Sequence, residues 1–312
     1  MKTVLTIDPI EAAHFIKNGG TVAFPTETVY GLGANVFDAN AVAAIFEAKR
    51  RPADNPLIVH IAVLAQIAEL AAETTVAARK LIDAFFPGPL TVVMRKTASV
   101  PMITTAGLHT IGVRMPRAEL GHQFLAACGV PVAAPSANLS GSPSPTRWEA
   151  VAEDLEGRVD CILRGERTEI GLESTVVDCT AEVPVLLRSG SVTLEHLRAV
   201  VPATVRYADA PSDEIRSPGM KHRHYSPAAM VVIVEGAPEM VDDCTAYIGI
   251  ENLDENFLLK KICVSVDDYA RNVFEFFRNC DRNKIKTIYC QRVGEDGIGA
   301  ALMDRLRRAA AG

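Results

Sequence analysis

Apolar runs rich in β-branched residues recur along the first two thirds of the chain, and segments with helical periodicity lie between them. Such alternation is typical of α/β proteins, in which strands and helices form separate layers. The runs that predict strands are TVAF (21–24), LIVHI (57–61), LTVVM (90–94), TIGVRM (110–115), VPVAAP (130–135), CIL (161–163), STVVD (174–178) and VPVLL (183–187). Because they outnumber the helices between them, we expect a large, mixed, twisted sheet rather than a strictly doubly wound one.

Capping residues mark the starts of two predicted helices. Asp8 and Pro9 fit the N-cap and the first position of one helix, and Asp38 fits the N-cap of another that runs from about Asn40 to Lys49. Three cations at 49–51 stand where the second helix is predicted to end. Cations at this end complement the helix dipole, so their position alone requires no function.

The periodic pattern lapses from about Thr204 to Pro227 and then resumes. We therefore predict a first domain at 1–203, an interdomain linker at 204–228 and a small, Rossmann-like α/β domain at 229–312. His222 and His224 lie in the linker, where two histidines in a basic segment do not by themselves predict a metal site. The runs that predict this small domain are MVVIV (230–234), AYIGI (246–250), ICVSV (262–266) and IKTIYC (285–290), with helices from about Asp267 and Ile298.

Composition limits the classes of function. The chain is 48% hydrophobic and carries a net charge of −6, whereas proteins that bind nucleic-acid backbones usually have a basic excess. Neither a signal-peptide core nor a run of about 18 apolar residues is present, so we expect a cytoplasmic protein. The seven cysteines are widely spaced and include no C-x-x-C pair, which disfavours a disulfide framework or a zinc site.

Polar segments follow several predicted strands, at the edge where α/β proteins bind ligands. In FPTETVYGLGAN (24–35) the two glycines allow a ligand to approach the backbone, although such a segment also fits a simple turn. In AKRRPADNPLIVHI (48–61) the prolines stiffen the chain after the three cations. Arg51 suits a phosphate because its planar fork donates paired hydrogen bonds, whereas Lys49 is a point charge. A solvated helix end is the other interpretation of these cations.

Two more segments add candidate groups. Arg114 lies in an otherwise apolar strand, where its charge is costly unless a carboxylate ligand or an internal acid pairs with it. The serine-rich segment APSANLSGSPSPT (134–146) is either a donor-rich nest for phosphate or ribose oxygens or an ordinary loop. The chain contains no P-loop, G-x-S-x-G or H-E-x-x-H motif, so it predicts neither a covalent nucleophile nor a zinc centre.

Together these segments resemble, in the same order, those of the threonylcarbamoyl-AMP synthase family. The resemblance covers residues 8–200, which correspond to the YrdC-like catalytic domain of that family. SPGMKHRHYSP (217–227) is similar to the linker of its long, two-domain form. The other matching segments are PTETVYGLG, AKRRPADNPLIVHI, TIGVRMP, PSANLSG, ESTVVD and LLRSG.

The resemblance implies an open, concave site on a twisted α/β sheet. The implied reaction joins L-threonine, bicarbonate and ATP into threonylcarbamoyl-AMP and pyrophosphate, for the N6-threonylcarbamoyladenosine modification of tRNA. The residues implied for L-threonine are Thr28, His60, Arg114, Ser174 and the backbone of Ala134. Those implied for ATP are Lys49, Arg51, Asn55, Thr110, Ser136, Asn138, Ser144, Arg188 and Tyr225. Lys49 and Arg51 would be catalytic, and Tyr225 of the linker would close over the nucleotide.

The resemblance further implies Mg²⁺ bound to the ATP phosphates, without protein ligands and without an organic cofactor. The expected partners are the three small-molecule substrates and the downstream tRNA threonylcarbamoyltransferase machinery, without membrane attachment or stable nucleic-acid binding. Two other functions stay open at this point. One is a carbamoyltransferase that works through a carbamoyl adenylate, since YrdC-like domains also occur there. The other is an RNA-binding module without catalysis.

Overall fold

Two sheets organise the computed structural model, which describes residues 2–207, 225–238 and 240–311. Most of the predicted linker, including His222 and His224, lies outside the described residues. The larger sheet belongs to residues before 207, and the smaller one begins at Met230.

Eleven strands form the larger sheet in these ranges. They are β1 (Val4–Thr6), β2 (Val22–Phe24), β3 (Gly31–Asn35), β4 (Ile58–His60), β5 (Leu90–Arg95), β6 (Thr110–Arg114), β7 (Val132–Ala134), β8 (Cys161–Leu163), β9 (Thr175–Asp178), β10 (Val185–Arg188) and β11 (Val205–Arg206). Their order across the sheet is β1-β8-β2-β3-β7-β4-β6-β5-β9-β10-β11. Since β4 is parallel to β6 and antiparallel to β7, the sheet is mixed, and the predicted fold class is confirmed.

The helices of the same region pack on the sheet through separate apolar clusters. They are α1 (Pro9–Lys17), α2 (Ala39–Lys49), α3 (Ile67–Leu70), α4 (Val76–Phe85), α5 (Glu119–Cys128), α6 (Trp148–Leu155) and α7 (Leu194–Val200), with a 3₁₀ turn at Leu64–Gln66. Ile16 of α1 and Phe124 of α5 share one buried cluster with Phe24. Ile45 of α2 and Leu81 of α4 belong to another. Each cluster buries the apolar side of an amphipathic helix, which is the main source of helix stability in a folded protein.

Both predicted caps form. The carboxylate of Asp8 accepts a hydrogen bond from the backbone N–H of Ile10 at 2.8 Å, and that of Asp38 accepts one from Asn40 at 2.9 Å. The helix that Asp38 caps ends at Lys49, and Arg50 then takes a left-handed backbone conformation with φ of 51°. This change in backbone direction points the three consecutive cations into different surroundings. Lys49 is buried, Arg50 is exposed, and Arg51 is half-buried.

Strand pairing brings polar residues of several strands, and of the segments after them, close together. His60 and Arg114 end the parallel neighbours β4 and β6 and are register partners. The antiparallel neighbour β7 ends at Ala134, which is the register partner of Ile58. A β-bridge between Gly31 and Ser136 brings the segments after β2 and β7 to the same place. These pairings create one site from segments that are far apart in sequence.

The smaller sheet is parallel, with the order β12-β15-β13-β14. Its strands are β12 (Met230–Val234), β13 (Thr245–Gly249), β14 (Leu259–Ile262) and β15 (Thr287–Gln291), and its helices are α8 (Val266–Arg282) and α9 (Gly299–Ala310). Tyr269, Phe274 and Leu302 of the helices are buried in one cluster with Ile248 and Ile288 of the strands. The predicted second, smaller α/β unit is confirmed.

The predicted strand at 262–266 is wrong. The strand is Leu259–Ile262, Ser265 is the N-cap of α8, and Val266 is the first residue of that helix. β14 is an edge strand with two lysines, so its apolar pattern is weak, whereas the apolar Val264 is 90% exposed. The predicted domain boundaries at 203/204 and 228/229 stay predictions, because residues 208–224 lie outside the described part of the chain.

We expect Gly121→Ala to destabilise the protein. A Cβ atom at Gly121, in α5, would lie 2.1 Å from the backbone oxygen of Pro25, so the helix or the segment after β2 would have to move. The expected loss in the free energy of unfolding is about 1–3 kcal/mol, measured by denaturant titration. Gly236→Ala is the control, since a Cβ there would meet nothing within 4 Å. Equal stability of the two variants would contradict the proposed close contact.

Candidate active site

A cleft opens where these strands and the segments after them meet. Twelve of the fourteen site residues inferred from the sequence line it: Thr28, Arg51, Asn55, His60, Arg114, Ala134, Ser136, Asn138, Ser144, Ser174, Arg188 and Tyr225. Lys49 and Thr110 are not part of the lining. The structure thus places most of the inferred residues together, while the individual roles inferred for them stay predictions.

Arg114 is held at the end of β6 by a buried ion pair with Glu27. Its Nη2 lies 2.7 Å from Glu27 Oε1, and the two side chains are 4% and 1% exposed. Its Nε donates to the carbonyl of Gly88 at 3.3 Å, and its Nη1 donates to Thr28 Oγ1 at 2.8 Å. These contacts among described residues use three of the five N–H donors of the guanidinium, so each terminal nitrogen keeps one N–H for a ligand. This geometry suits a carboxylate.

The hydroxyl of Thr28 continues this network. It lies 2.8 Å from Thr26 Oγ1, which in turn donates to the carbonyl of Val29 at 2.7 Å. Because Thr26 donates its hydrogen to Val29, the Thr28 hydroxyl is the donor in its contact with Thr26. The PTET segment is therefore a hydrogen-bonded turn that orients Arg114, and Glu27 is a residue that sequence reasoning did not assign.

His60 is buried beside Arg114 and packs edge-on against Phe24, with the ring centroids 5.6 Å apart. Burial, and then the positive charge of Arg114, lower its pKa to about 3. The imidazole is therefore neutral at physiological pH. Its Nδ1 has no hydrogen-bond partner among the described residues, so it is available to a neutral donor or acceptor of a ligand.

Two more arginines provide positive charge along the cleft. Arg188 donates from Nε to the carbonyl of Ser174 at 3.0 Å and from Nη2 to Ser174 Oγ at 3.2 Å. Arg51 points its guanidinium at the carbonyls of Asn55 and Pro56 over 3.3–3.4 Å. Burial lowers the pKa of Arg51 to about 10, which leaves it charged at neutral pH. Because these partners are mostly neutral, they orient the charges without neutralising them.

Lys49 lies beneath the cleft rather than in its lining. Its Nζ donates to the carbonyls of Ser136 and Asn138, and the residue is 1% exposed. Burial is the main reason why its pKa lies well below the ordinary value. In this conformation Lys49 supports the serine-rich segment, and the inferred contact with phosphate stays a prediction. Thr110 begins β6, four residues before Arg114, which places it about 13 Å along the strand from that residue.

The serine-rich segment is ordered by side-chain hydrogen bonds. The amide nitrogen of Asn138 donates to the carbonyls of Leu139 and Ser142 at 2.7 and 2.9 Å, and its oxygen accepts from Ser136 Oγ at 2.5 Å. Ser144 Oγ donates to the buried carboxylate of Glu173 at 2.5 Å. Burial tends to raise the pKa of Glu173, but Arg305 and Arg188 outweigh burial and lower it, so the carboxylate is charged.

The described residues do not form a cluster of three or more side chains suited to bind a metal ion. Glu173 is a carboxylate of the cleft lining, and it is already paired with Arg305 at 2.9 Å.

None of the helices within the described ranges is long and apolar enough to cross a membrane.

Comparisons with known proteins match the chain over almost its whole length. The sequence model of the Sua5/YciO/YrdC family, described as telomere recombination, matches residues 14–190. A second model, described as threonylcarbamoyl-AMP synthase, C-terminal domain, matches residues 192–311.

Individual relatives agree with these matches. The threonylcarbamoyl-AMP synthase of Pyrococcus abyssi is 46% identical over 96% of this chain and 92% of its own, and that of Bacillus subtilis is 40% identical over 98% and 94%. The crystal structure of P. abyssi Sua5 complexed with L-threonine superposes with a TM-score of 0.92 at 42% identity, covering 100% of this chain and 98% of that one. Escherichia coli YciO aligns with a TM-score of 0.53 at 25% identity, covering 60% of this chain and 94% of its own.

The buried neutral state of His60 predicts how stability changes with pH. In the unfolded chain His60 has its ordinary pKa near 6.5, whereas in the fold it is about 3. The unfolded state therefore binds a proton first as pH falls, and stability is lost between about pH 6.5 and pH 3, by up to about 1.4 kcal/mol per pH unit. We expect the His60→Gln variant to lose less stability than the wild type over this window. Parallel profiles from denaturant titrations at pH 7, 6 and 5 would contradict this assignment.

Proposed function

The chain belongs to the threonylcarbamoyl-AMP synthase family, and we propose on this premise that it joins L-threonine, bicarbonate and ATP into threonylcarbamoyl-AMP and pyrophosphate. The observation that carries this proposal is the cleft itself. It contains Arg114, oriented for a carboxylate, together with Arg51 and Arg188. A site that must hold an amino acid and a triphosphate needs positive charge for two separate anions.

The reaction proceeds in two steps. The threonine amine adds to bicarbonate, and water leaves to give a carbamate. A carbamate oxygen then attacks the α-phosphorus of ATP, a new P–O bond forms, and pyrophosphate leaves with the electron pair of the bond that breaks. Neither step requires a nucleophile from the protein. The task of the site is to align two anions and to stabilise the charge that develops between them.

At the threonine end, the two remaining N–H groups of Arg114 bind the carboxylate of the amino acid. Thr28, His60, Ser174 and the backbone of Ala134 surround the rest of the molecule. With a pKa of about 3, His60 is too weak a base to remove a proton from an ammonium group. His60 therefore orients the substrate as a neutral hydrogen-bonding group.

At the ATP end, Arg51 and Arg188 stabilise the phosphates, and Asn55, Ser136, Asn138 and Ser144 provide hydrogen bonds. Arg188 lines the cleft together with Arg51 and Arg114 and contacts Ser174 of the inferred threonine site, so this residue is suited to the point where carbamate and α-phosphate meet. Mg²⁺ would enter on the ATP phosphates and offset their charge there. Since Arg305 and Ser144 already occupy the Glu173 carboxylate, the described lining leaves the coordination of this ion to the phosphates and to water.

Water must be kept from the intermediates, because carbamates and mixed anhydrides both hydrolyse. Tyr225 lines the cleft and is 7% exposed, so its ring can cover bound nucleotide.

The proposal extends to the cytoplasm as the place of action, and to a downstream transferase that passes the threonylcarbamoyl group to tRNA.

An assay of the purified protein with ATP, bicarbonate and single amino acids tests the function. We expect pyrophosphate release that depends on L-threonine, and a product with the mass of threonylcarbamoyl-AMP. A requirement for carbamoyl phosphate in place of threonine would instead favour the carbamoyltransferase. Tight RNA binding without ATP turnover would favour a binding module.

Replacing Arg114 and replacing Arg51 should impair the use of different substrates. Arg114→Lys keeps a positive charge beside Glu27 but lacks the paired N–H groups that meet the carboxylate, so we expect the KM for L-threonine to rise about tenfold or more with little change in the KM for ATP. Arg51→Gln should raise the KM for ATP, or lower kcat, and leave the KM for L-threonine unchanged. Steady-state kinetics with each substrate varied in turn checks both. If both variants shifted the same KM, the assignment of the two anion sites would be wrong.

A further inference from the structure

Two buried arginines of the small C-terminal unit contact the first domain beside the cleft. Arg278 of α8 is 6% exposed, and Arg305 of α9 is fully buried. Arg282 of α8 also pairs across the interface, with Glu153, but these side chains are 41% and 46% exposed. The interface therefore contains buried charged contacts near the cleft and a solvated one farther out.

Arg305 acts on the cleft through Glu173. Its Nε lies 2.9 Å from Glu173 Oε2, and its Nη2 donates to the carbonyl of Ser189 at 3.1 Å. The other oxygen of Glu173 accepts the hydrogen bond from Ser144. A residue of the C-terminal unit thereby fixes the carboxylate that orients a hydroxyl in the inferred ATP site.

Arg305 also holds Tyr225. Its Cζ lies 5.4 Å from the centroid of the Tyr225 ring, within the range of a cation–π interaction. The same ring stacks on Phe274 of α8, with the centroids 5.4 Å apart and the planes at 22°. The residue that we expect over the nucleotide is therefore held by both helices of the C-terminal unit.

Arg278 fixes the other side of the serine-rich segment. It donates two hydrogen bonds to Asp154, at 3.1 and 2.8 Å, and one to the carbonyl of Pro143 at 2.6 Å. Asp154 Oδ2 accepts in turn from the backbone N–H of Leu139 at 3.1 Å. The stretch 139–144 is thus tied to the C-terminal unit at both ends.

We propose that Arg278 and Arg305 are positioning residues through which the C-terminal unit sets the shape of the ATP site. The proposal rests on the function proposed above. The stretch 139–144 lies outside any strand or helix and contains Gly141 at φ of 94°, so the regular structure around it does not determine its conformation. Buried, charge-assisted hydrogen bonds are strong enough to select one conformation before the nucleotide arrives.

Loss of Arg305 has an electrostatic consequence as well. Without Arg305, the carboxylate of Glu173 would remain in the cleft lining as a buried negative charge. Of the two arginines that stabilise this charge, Arg188 alone would be left. ATP brings further negative charge to the same place, so repulsion would add to the loss of order. Glutamine at position 173 can still accept the hydrogen bond from Ser144, but it carries no charge.

Three single variants of the full chain test the proposal. We expect Arg278→Gln and Arg305→Gln each to raise the Kd of a non-hydrolysable ATP analogue about tenfold, measured by calorimetry, and to leave the Kd of L-threonine within about twofold. Arg282→Gln removes an exposed interdomain pair and should change neither Kd. Unaltered ATP affinity in both buried variants would overturn the proposal. So would an equal loss of affinity for both ligands, because a purely structural role would affect both.

A double variant separates positioning from general destabilisation. Glu173→Gln removes the carboxylate that Arg305→Gln leaves without its partner. We therefore expect Glu173→Gln/Arg305→Gln to bind the ATP analogue more tightly than Arg305→Gln does. The melting temperature of each variant is recorded as a control. If Arg305→Gln does not fold, Arg305→Lys takes its place, because it keeps a positive charge but cannot reproduce the contacts of Nε with Glu173 and of Nη2 with Ser189. ATP affinity equal to that of the wild type would then overturn the role of Arg305. A wild-type protein that binds both ligands but releases no pyrophosphate would contradict the proposed function, while the calorimetry would still decide this inference.

Discussion

The charge of Arg114 requires a compensating charge, because its side chain is 4% exposed at the end of a strand. Glu27 supplies it from the segment after β2, although β3, β7 and β4 lie between β2 and β6 in the sheet. The backbone N–H of Arg117 donates to the same carboxylate at 3.2 Å. Around this pair the turn at Thr26–Thr28, the end of β6 and the approach of His60 all have defined positions. The contacts that balance and orient the Arg114 charge therefore set the geometry of this end of the cleft.

The same constraint applies to Glu173, the carboxylate in the described cleft lining. Glu27 pairs with Arg114 and Glu173 pairs with Arg305, whereas the hydrogen bonds of Arg51 and Arg188 to the described residues go to carbonyl and hydroxyl oxygens. Carbonyl oxygens orient a guanidinium without cancelling its charge. The cleft therefore keeps a positive potential for anionic substrates, while the buried carboxylates of Glu27 and Glu173 each have a cationic partner.

The strand-end residues were accessible to sequence reasoning because the apolar runs that precede them are strong, and because the motifs resemble a known family. The need of Arg114 for an acid also followed from its apolar strand, but the choice of Glu27 did not, since 87 positions separate the two residues. Glu173 and Arg305 meet across 132 positions and two domains. The strand β3 was missed because two of its five residues are glycines, which give no alternation of side chains. Gly33 is needed there, since a Cβ would lie 2.5 Å from Val132 Cγ1.

The contacts between the two domains differ in how far water reaches them, and dissolved salt acts on them accordingly. Mobile ions screen exposed charges over about 8 Å at physiological ionic strength, but they scarcely enter a buried pair. Arg282 and Glu153 at the rim are open to such screening, whereas Arg305 and Glu173 are enclosed. Rising ionic strength would therefore weaken the exposed pair of Arg282 and Glu153 first, and it would leave the buried pair of Arg305 and Glu173 beside the cleft largely unchanged.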